Sequence, residues 1–192
     1  MKKRVAILIS GRGSNMEALI RAAEAPDYPA EIVGVLSNKA EAGGLGLARA
    51  KGIATAVRSH RDFASREAFD AALDAVLRGW RVEIVCLAGF MRVLTPGFVA
   101  GWEGRMLNIH PSLLPAFQGL HTHERALAAG VAEHGCTVHF VTAGLDDGPP
   151  ILTARVPVLA SDTPESLAAR VLVEEHRIYP EALAMVARGE VG

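Results

Sequence analysis

Short apolar runs alternate along the chain with stretches whose hydrophobic residues recur every three or four positions. The runs Val5–Ile9, Ile32–Ser37, Thr55–Arg58, Val82–Leu87, Met106–Ile109, Cys136–Val141 and Ile151–Val158 read as strands. Between them the spacing predicts helices near residues 15–25, 43–51, 65–79 and 121–129. The third is the clearest: Phe69, Ala72, Leu73, Val76, Leu77 and Trp80 line one helical face, behind Ser65 as N-cap. This alternation predicts an α/β fold, a doubly wound and mostly parallel sheet with helices on both faces. The last two strands flank the turn-forming TAGLDDGP and are expected to end the sheet as an antiparallel hairpin. A final helix opens at Asp162-Thr163-Pro164-Glu165, with Pro in the first turn and Glu at the capping-box position. Pro180 is expected to kink or break it.

In an open sheet of this kind, ligands bind beyond the carboxyl ends of the strands. That rule gathers Gly11–Asn15, Ser37–Lys39, Gly89–Arg92 and Asn108–His110 along one rim. The last of these carries the sharpest signal. In NIHPSLLP, strand alternation puts Asn108 and His110 on one face and Leu107 and Ile109 on the other, and Pro111 ends the strand. An amide and an imidazole stacked at a strand end are either a satisfied polar pair or a catalytic ledge.

Composition narrows the classes. Of 192 residues, 50% are hydrophobic, which suits one globular domain with a full core. A formal net charge of -1 gives no electrostatic case for nucleic acid or an anionic membrane. Cys86 and Cys136 lie in apolar runs, with neither disulfide nor metal spacing. The opening MKKRVAILIS is basic then apolar, but its apolar run is shorter than the ~7–15 residues of a signal core and lacks an Ala-x-Ala site. No segment is long enough to span a bilayer. A cytoplasmic protein is expected.

Other motifs have both a bland and a sharp reading. ISGRGSN follows the first strand and opens the first helix, where small residues let backbone N–H groups approach an anion. It fails as a dinucleotide fingerprint, since Met16 replaces the third Gly and Asn38-Lys39 replace a ribose-binding acid; it also lacks the Lys-Ser/Thr of a Walker loop. A phosphate on a mononucleotide-sized ligand fits, against a merely tight turn. GFMRVL is either a strand exit packing Phe90 and Met91 or an apolar slot for a flat heterocycle. GLHTH holds His121 and His123, which with His110 could suggest zinc, but the following HERALAAG reads as helix and has no zincin spacing. Asp146 and Asp147 suit a turn, and a carboxylate beside a histidine would also orient it for proton transfer. Glu175 falls on one stripe with Leu167, Val171, Ile178 and Ala182; it needs a partner there, either Arg170, Arg177 or ligand hydroxyls.

Taken together, ISGRGSN, SNKAEAGGL, ASREAFD, LAGFMRVLTP, LNIHPSLLPAFQGLHTH, GCTVHFV, LDDGPPIL and VEEHRIYP resemble the phosphoribosylglycinamide formyltransferases over essentially the whole chain. These are the folate-dependent glycinamide ribonucleotide transformylases of purine synthesis. The resemblance implies formyl transfer from 10-formyltetrahydrofolate, as co-substrate, to the amine of the ribonucleotide, without a metal. It implies Asn108, His110 and Asp146 as catalytic residues. It places the ribonucleotide on Gly13, Ser14, Asn15, Leu172, Val173, Glu174 and Glu175. It places folate on Arg66, Met91, Arg92, Val93, Leu94, Asn108, Thr142, Ala143, Gly144, Leu145 and Asp146, with Lys39 nearby. One domain over 1–192 is expected, a mononucleotide half about 1–100 and a folate and catalytic half about 101–192. Small-molecule substrates are implied, with a monomer or homodimer. Gln118, where Pro or Lys is usual, and Asp147, where Gly or Ala is common, depart from the pattern. A formyltetrahydrofolate deformylase would add an N-terminal regulatory domain and lack the Gly-x-Gly-Ser-Asn loop. A methionyl-tRNA formyltransferase would need a C-terminal RNA-binding domain. A catalytically silent nucleotide-binding module would have no use for Asn108, His110 and Asp146 together.

Overall fold

A computed structural model describes all 192 residues. The strands are β1 (Lys3–Ile9), β2 (Ala30–Ser37), β3 (Ala54–Val57), β4 (Ile84–Leu87), β5 (Met106–His110), β6 (Glu133–Phe140) and β7 (Pro150–Pro157). They form one sheet in the order β3-β2-β1-β4-β5-β6-β7. The first five pair in parallel, β6 runs antiparallel to β5, and β7 antiparallel to β6. The seven expected strands all form, with ends displaced by three residues or fewer.

Six helices cover the faces: α1 (Ser14–Ala23), α2 (Gly43–Ala50), α3 (Arg66–Gly79), α4 (Pro96–Gly101), α5 (Thr122–Ala129) and α6 (Pro164–Ala187). Each face has its own core. Leu107 and Ile109 pack with α1, α2 and α6, through Leu19, Leu45, Val171 and Leu183. Met106 packs on the opposite face with α3 and α4, through Leu73, Leu77, Phe98 and Trp102. The alternation read for β5 is therefore real, and Asn108 and His110 share the Met106 face. Tyr179, fully buried on α6, donates to the carbonyls of both Leu87 and Leu107 and ties β4 to β5 beneath the site. No helix is long and apolar enough to cross a membrane.

Three local expectations need correcting. Helix α4 is absent from the sequence reading because six residues are too few to show a period; its signal is Thr95 capping the Phe98 N–H ahead of Pro96. The capping box of α6 is closed by Ser166, one position beyond Glu165. Nor does Pro180 end α6, which continues to Ala187. A proline inside a helix costs about 3 kcal/mol. Ile178, Tyr179 and Leu183 are all buried there, each contributing roughly 1.5–3 kcal/mol. Packing outweighs the lost hydrogen bond.

Candidate active site

The sheet reverses its winding between β1 and β4, and the loops leaving β1, β2, β4 and β5 meet at that edge. A buried hydroxyl joins the first three: Ser10 Oγ donates to Asn38 Oδ1 and accepts from the Met91 N–H at 2.8 Å. Asn38 was placed on this rim by the sequence, whereas Ser10 did not stand out, because a single hydroxyl at a strand end is ordinary.

Four side chains meet at the ledge on β5. His110 is buried; its Nε2 lies 2.9 Å from the Phe117 carbonyl and its Nδ1 3.5 Å from Asp146 Oδ2. A carbonyl can only accept, so Nε2 carries a hydrogen. The nitrogen left for exchange is Nδ1, the one facing the carboxylate. Asp146 also accepts from the Gly119 N–H at 2.9 Å, and its backbone is left-handed at φ 50. One carboxylate thus holds both the imidazole and the PSLLPAFQG loop. The Asn108 Nδ2 lies 3.4 Å from His139 Nε2. His139, on β6 directly opposite Asn108, was missed in the sequence because its partner depends on an antiparallel register.

At the other end of the rim, Gly13 caps α1 at φ 73 and ψ 40, a left-handed conformation suited to glycine. No side chain caps this helix, so its first N–H groups, at Ser14 and Asn15, face outward with the positive end of the helix. Asn15 Nδ2 donates to Glu175 Oε1 at 3.0 Å, and Asn15 Oδ1 is buried without a protein donor. Glu175 therefore takes neither Arg170, which pairs with Asp162, nor Arg177, which pairs with Glu174. Val173 is 67% exposed on the outer side of α6, and Leu172 is half-buried.

Burial raises the Glu175 carboxyl above its ordinary 4.5, with the Asn15 bond partly opposing this. Between 4.5 and the raised folded value, the folded protein keeps a proton that the unfolded chain has released, so stability falls as pH rises through that window. Glu175→Gln removes this fall and is expected to gain stability relative to wild type on going from acidic to neutral pH. Urea unfolding of both proteins on either side of the window checks this; an equal difference at both pH values would contradict it.

Apart from Asn108 on the ledge and Arg66 at the start of α3, the residues assigned to folate lie on two loops beside the ledge. Arg66 donates to the Val93 carbonyl at 2.8 Å and pins the loop after β4. Met91 and Val93 are exposed, while Leu94 packs into the core with Phe98. Arg92 Nε is buried without a partner. Lys39 is exposed on the same rim. In the β6–β7 loop, Leu145 is exposed and Thr142 donates to Asp147 Oδ1. Asp147 crowds Gly144 so closely that a Cβ there would overlap its carboxylate; Gly144 and Asp147 therefore go together, with Ala143 between Thr142 and Gly144. Gln118 fits as well, donating to the Asp146 carbonyl at 3.1 Å.

The histidines considered for zinc are separated. His121 is exposed and pairs with Glu124, whereas His123 Nδ1 lies 3.2 Å from His134 Nε2. Burial and its histidine neighbours push His134 down to about 4. No three His, Cys, Asp or Glu side chains converge in a way that could hold an ion.

A mostly parallel sheet with an uncapped helix end at its switch point, and a half-buried amide beside a buried imidazole and its carboxylate at a neighbouring strand end, has the layout of a group-transfer enzyme. Known proteins agree with this geometry. The family described as formyl transferase matches residues 3–183. Trifunctional purine biosynthetic protein adenosine-3 of Bos taurus is 53% identical over 190 residues, 99% of this chain. The chain spans 19% of that relative's length. Phosphoribosylglycinamide formyltransferase of Escherichia coli (strain K12) is 49% identical over 187 residues, 97% of this chain and 88% of the relative. The crystal structure of phosphoribosylglycinamide formyltransferase from Brucella melitensis superposes with a TM-score of 0.95 at 60% identity, covering 100% of this chain and 99% of that one. The chain belongs to the formyl transferase family, and within it to the phosphoribosylglycinamide formyltransferases.

Proposed function

We propose that this chain transfers the formyl group of 10-formyltetrahydrofolate to the amine of N1-(5-phospho-D-ribosyl)glycinamide, in de novo purine synthesis. The observation that carries this reading is the two-ended rim: an uncapped helix end with a half-buried Asn15–Glu175 pair at one side, the Asn108, His110 and Asp146 ledge at the other. The phosphate would take the N–H groups at Gly13, Ser14 and Asn15. Ribose hydroxyls would donate to Glu175, and Asn15 Oδ1 would accept a further substrate hydrogen. These contacts lie away from the reacting amine, so their binding energy holds it against the formyl carbon.

The amine nitrogen attacks the formyl carbon, and the carbonyl oxygen becomes anionic in the tetrahedral adduct. The Asn108 amide is a donor for that oxygen, and such a donor is worth ~3–4 kcal/mol in comparable sites. The attacking nitrogen loses a proton, the folate N10 gains one, and the C–N10 bond breaks to give the N-formyl product and tetrahydrofolate. Nε2 of His110 is fixed by the Phe117 carbonyl, so Nδ1 relays the proton, with Asp146 stabilising the imidazolium. The folate ring would lie between the loop after β4 and the β6–β7 loop. One domain over residues 1–192 carries both ends on a single sheet, and a cytoplasmic location goes with this chemistry.

The reading is tested by following tetrahydrofolate with and without the ribonucleotide. Formyl donor consumed should equal N-formyl product, and omission of the acceptor should stop the reaction. Deformylation at a similar rate without acceptor would favour a hydrolase. We also propose that no metal takes part: exhaustive chelation is expected to leave turnover unchanged, and activity lost with a stoichiometric ion and restored with it would reverse that assignment.

A further inference from the structure

His139 has no part in the chemistry described so far, yet it is 3% exposed and stands directly across from Asn108. Its Nδ1 lies 2.9 Å from the Phe140 carbonyl. Since a carbonyl has no hydrogen to give, Nδ1 must be the protonated nitrogen, and in the neutral ring Nε2 is then an acceptor. That acceptor faces Asn108 Nδ2 at 3.4 Å. The carboxamide is thereby oriented: its NH2 faces the imidazole lone pair, since Oδ1 there would bring two lone pairs together. One Nδ2 hydrogen is taken by His139 and the second remains for the site. A β-bulge in β7, opposite Val138 and His139, falls at this point of the sheet.

We propose that His139 is a positioning residue that orients the Asn108 amide as a hydrogen-bond donor to the formyl oxygen. This rests on the role given to Asn108 above. The neutral ring is favoured by burial, which lowers the imidazole, and by the nearby His110. Against this stand the Phe140 carbonyl, Asp147 and Asp146, whose Oδ1 lies 4.0 Å from Nε2; burial is the largest influence and the net direction is down. A doubly protonated ring would turn N–H against N–H and release the amide from this orientation.

Two substitutions separate the two ring nitrogens. Asparagine places an amide where Nδ1 was and offers nothing to Asn108, whereas glutamine places its carbonyl oxygen near the Nε2 position. His139→Asn is expected to lower kcat by ~10–10²-fold, the scale of a misplaced catalytic group, with little change in KM for either substrate. His139→Gln is expected to restore most of that loss, and to retain the wild-type shape of the kcat–pH profile. On an Asn108→Ala background, His139→Asn is expected to change kcat by less than about twofold, because the two residues act as one unit. Ribonucleotide dissociation constants and thermal unfolding of each variant report whether the fold is kept.

If Asn108→Ala alone turns over normally, the role of Asn108 fails and the proposal with it. If Asn108→Ala is slow but His139→Asn costs the same factor on both backgrounds, Asn108 stands and the positioning role is overturned. Loss of one limb of the pH profile in His139→Gln would assign His139 to proton transfer instead. Should the variants not fold, ¹⁵N NMR of the wild type decides: hydrogen on Nδ1 alone near neutral pH is the expected state, and hydrogen on both nitrogens overturns the proposal.

Discussion

Replacing His110 with alanine is expected to lower kcat by ~10²–10⁴-fold, the usual scale for a lost general acid–base group. Nε2 is fixed by the Phe117 carbonyl and Nδ1, facing Asp146, is the nitrogen that relays the proton, so alanine removes the relay itself. The same contacts predict a modest structural cost. The Phe117 carbonyl loses its donor, worth about 1 kcal/mol, while Asp146 keeps the Gly119 N–H. The variant should therefore fold and bind ribonucleotide. Single-turnover kinetics at saturating substrates checks the chemical step directly, and turnover within a few-fold of wild type would remove His110 from the mechanism.

Replacing Asn108 with alanine is expected to cost roughly 10²–10³-fold in kcat through loss of the oxyanion donor. An interaction made mainly with the tetrahedral adduct lowers kcat and kcat/KM together and leaves ground-state binding alone. Steady-state constants for both substrates distinguish this from a binding defect: a rise in folate KM at unchanged kcat would make Asn108 a binding residue only. The substitution also leaves His139 Nε2 without its donor, a buried acceptor whose cost of about 1–3 kcal/mol should appear as a lower melting temperature.

The strand–helix order, the parallel sheet and the placement of Asn108 and His110 on one face of β5 were legible from the chain, because each depends on local periodicity. The buried polar stripe position of Glu175 was legible for the same reason. Motif likeness then supplied the chemistry that periodicity lacks. Short elements were not legible: α4 has only its Thr95-Pro96 opening to announce it, and the persistence of α6 past Pro180 is decided by buried neighbours that a local rule does not count. The partners of the site residues were likewise out of reach. Glu175 had two arginines close in sequence and instead meets Asn15, 160 residues away, because α1 and α6 pack side by side on one face of the sheet. His139 lies within the apolar run of β6 and becomes Asn108's neighbour only through the register Asn108↔His139. Which face a side chain takes is written in the spacing of its own strand; which side chain it meets depends on long-range pairing, and that was settled only when the sheet assembled.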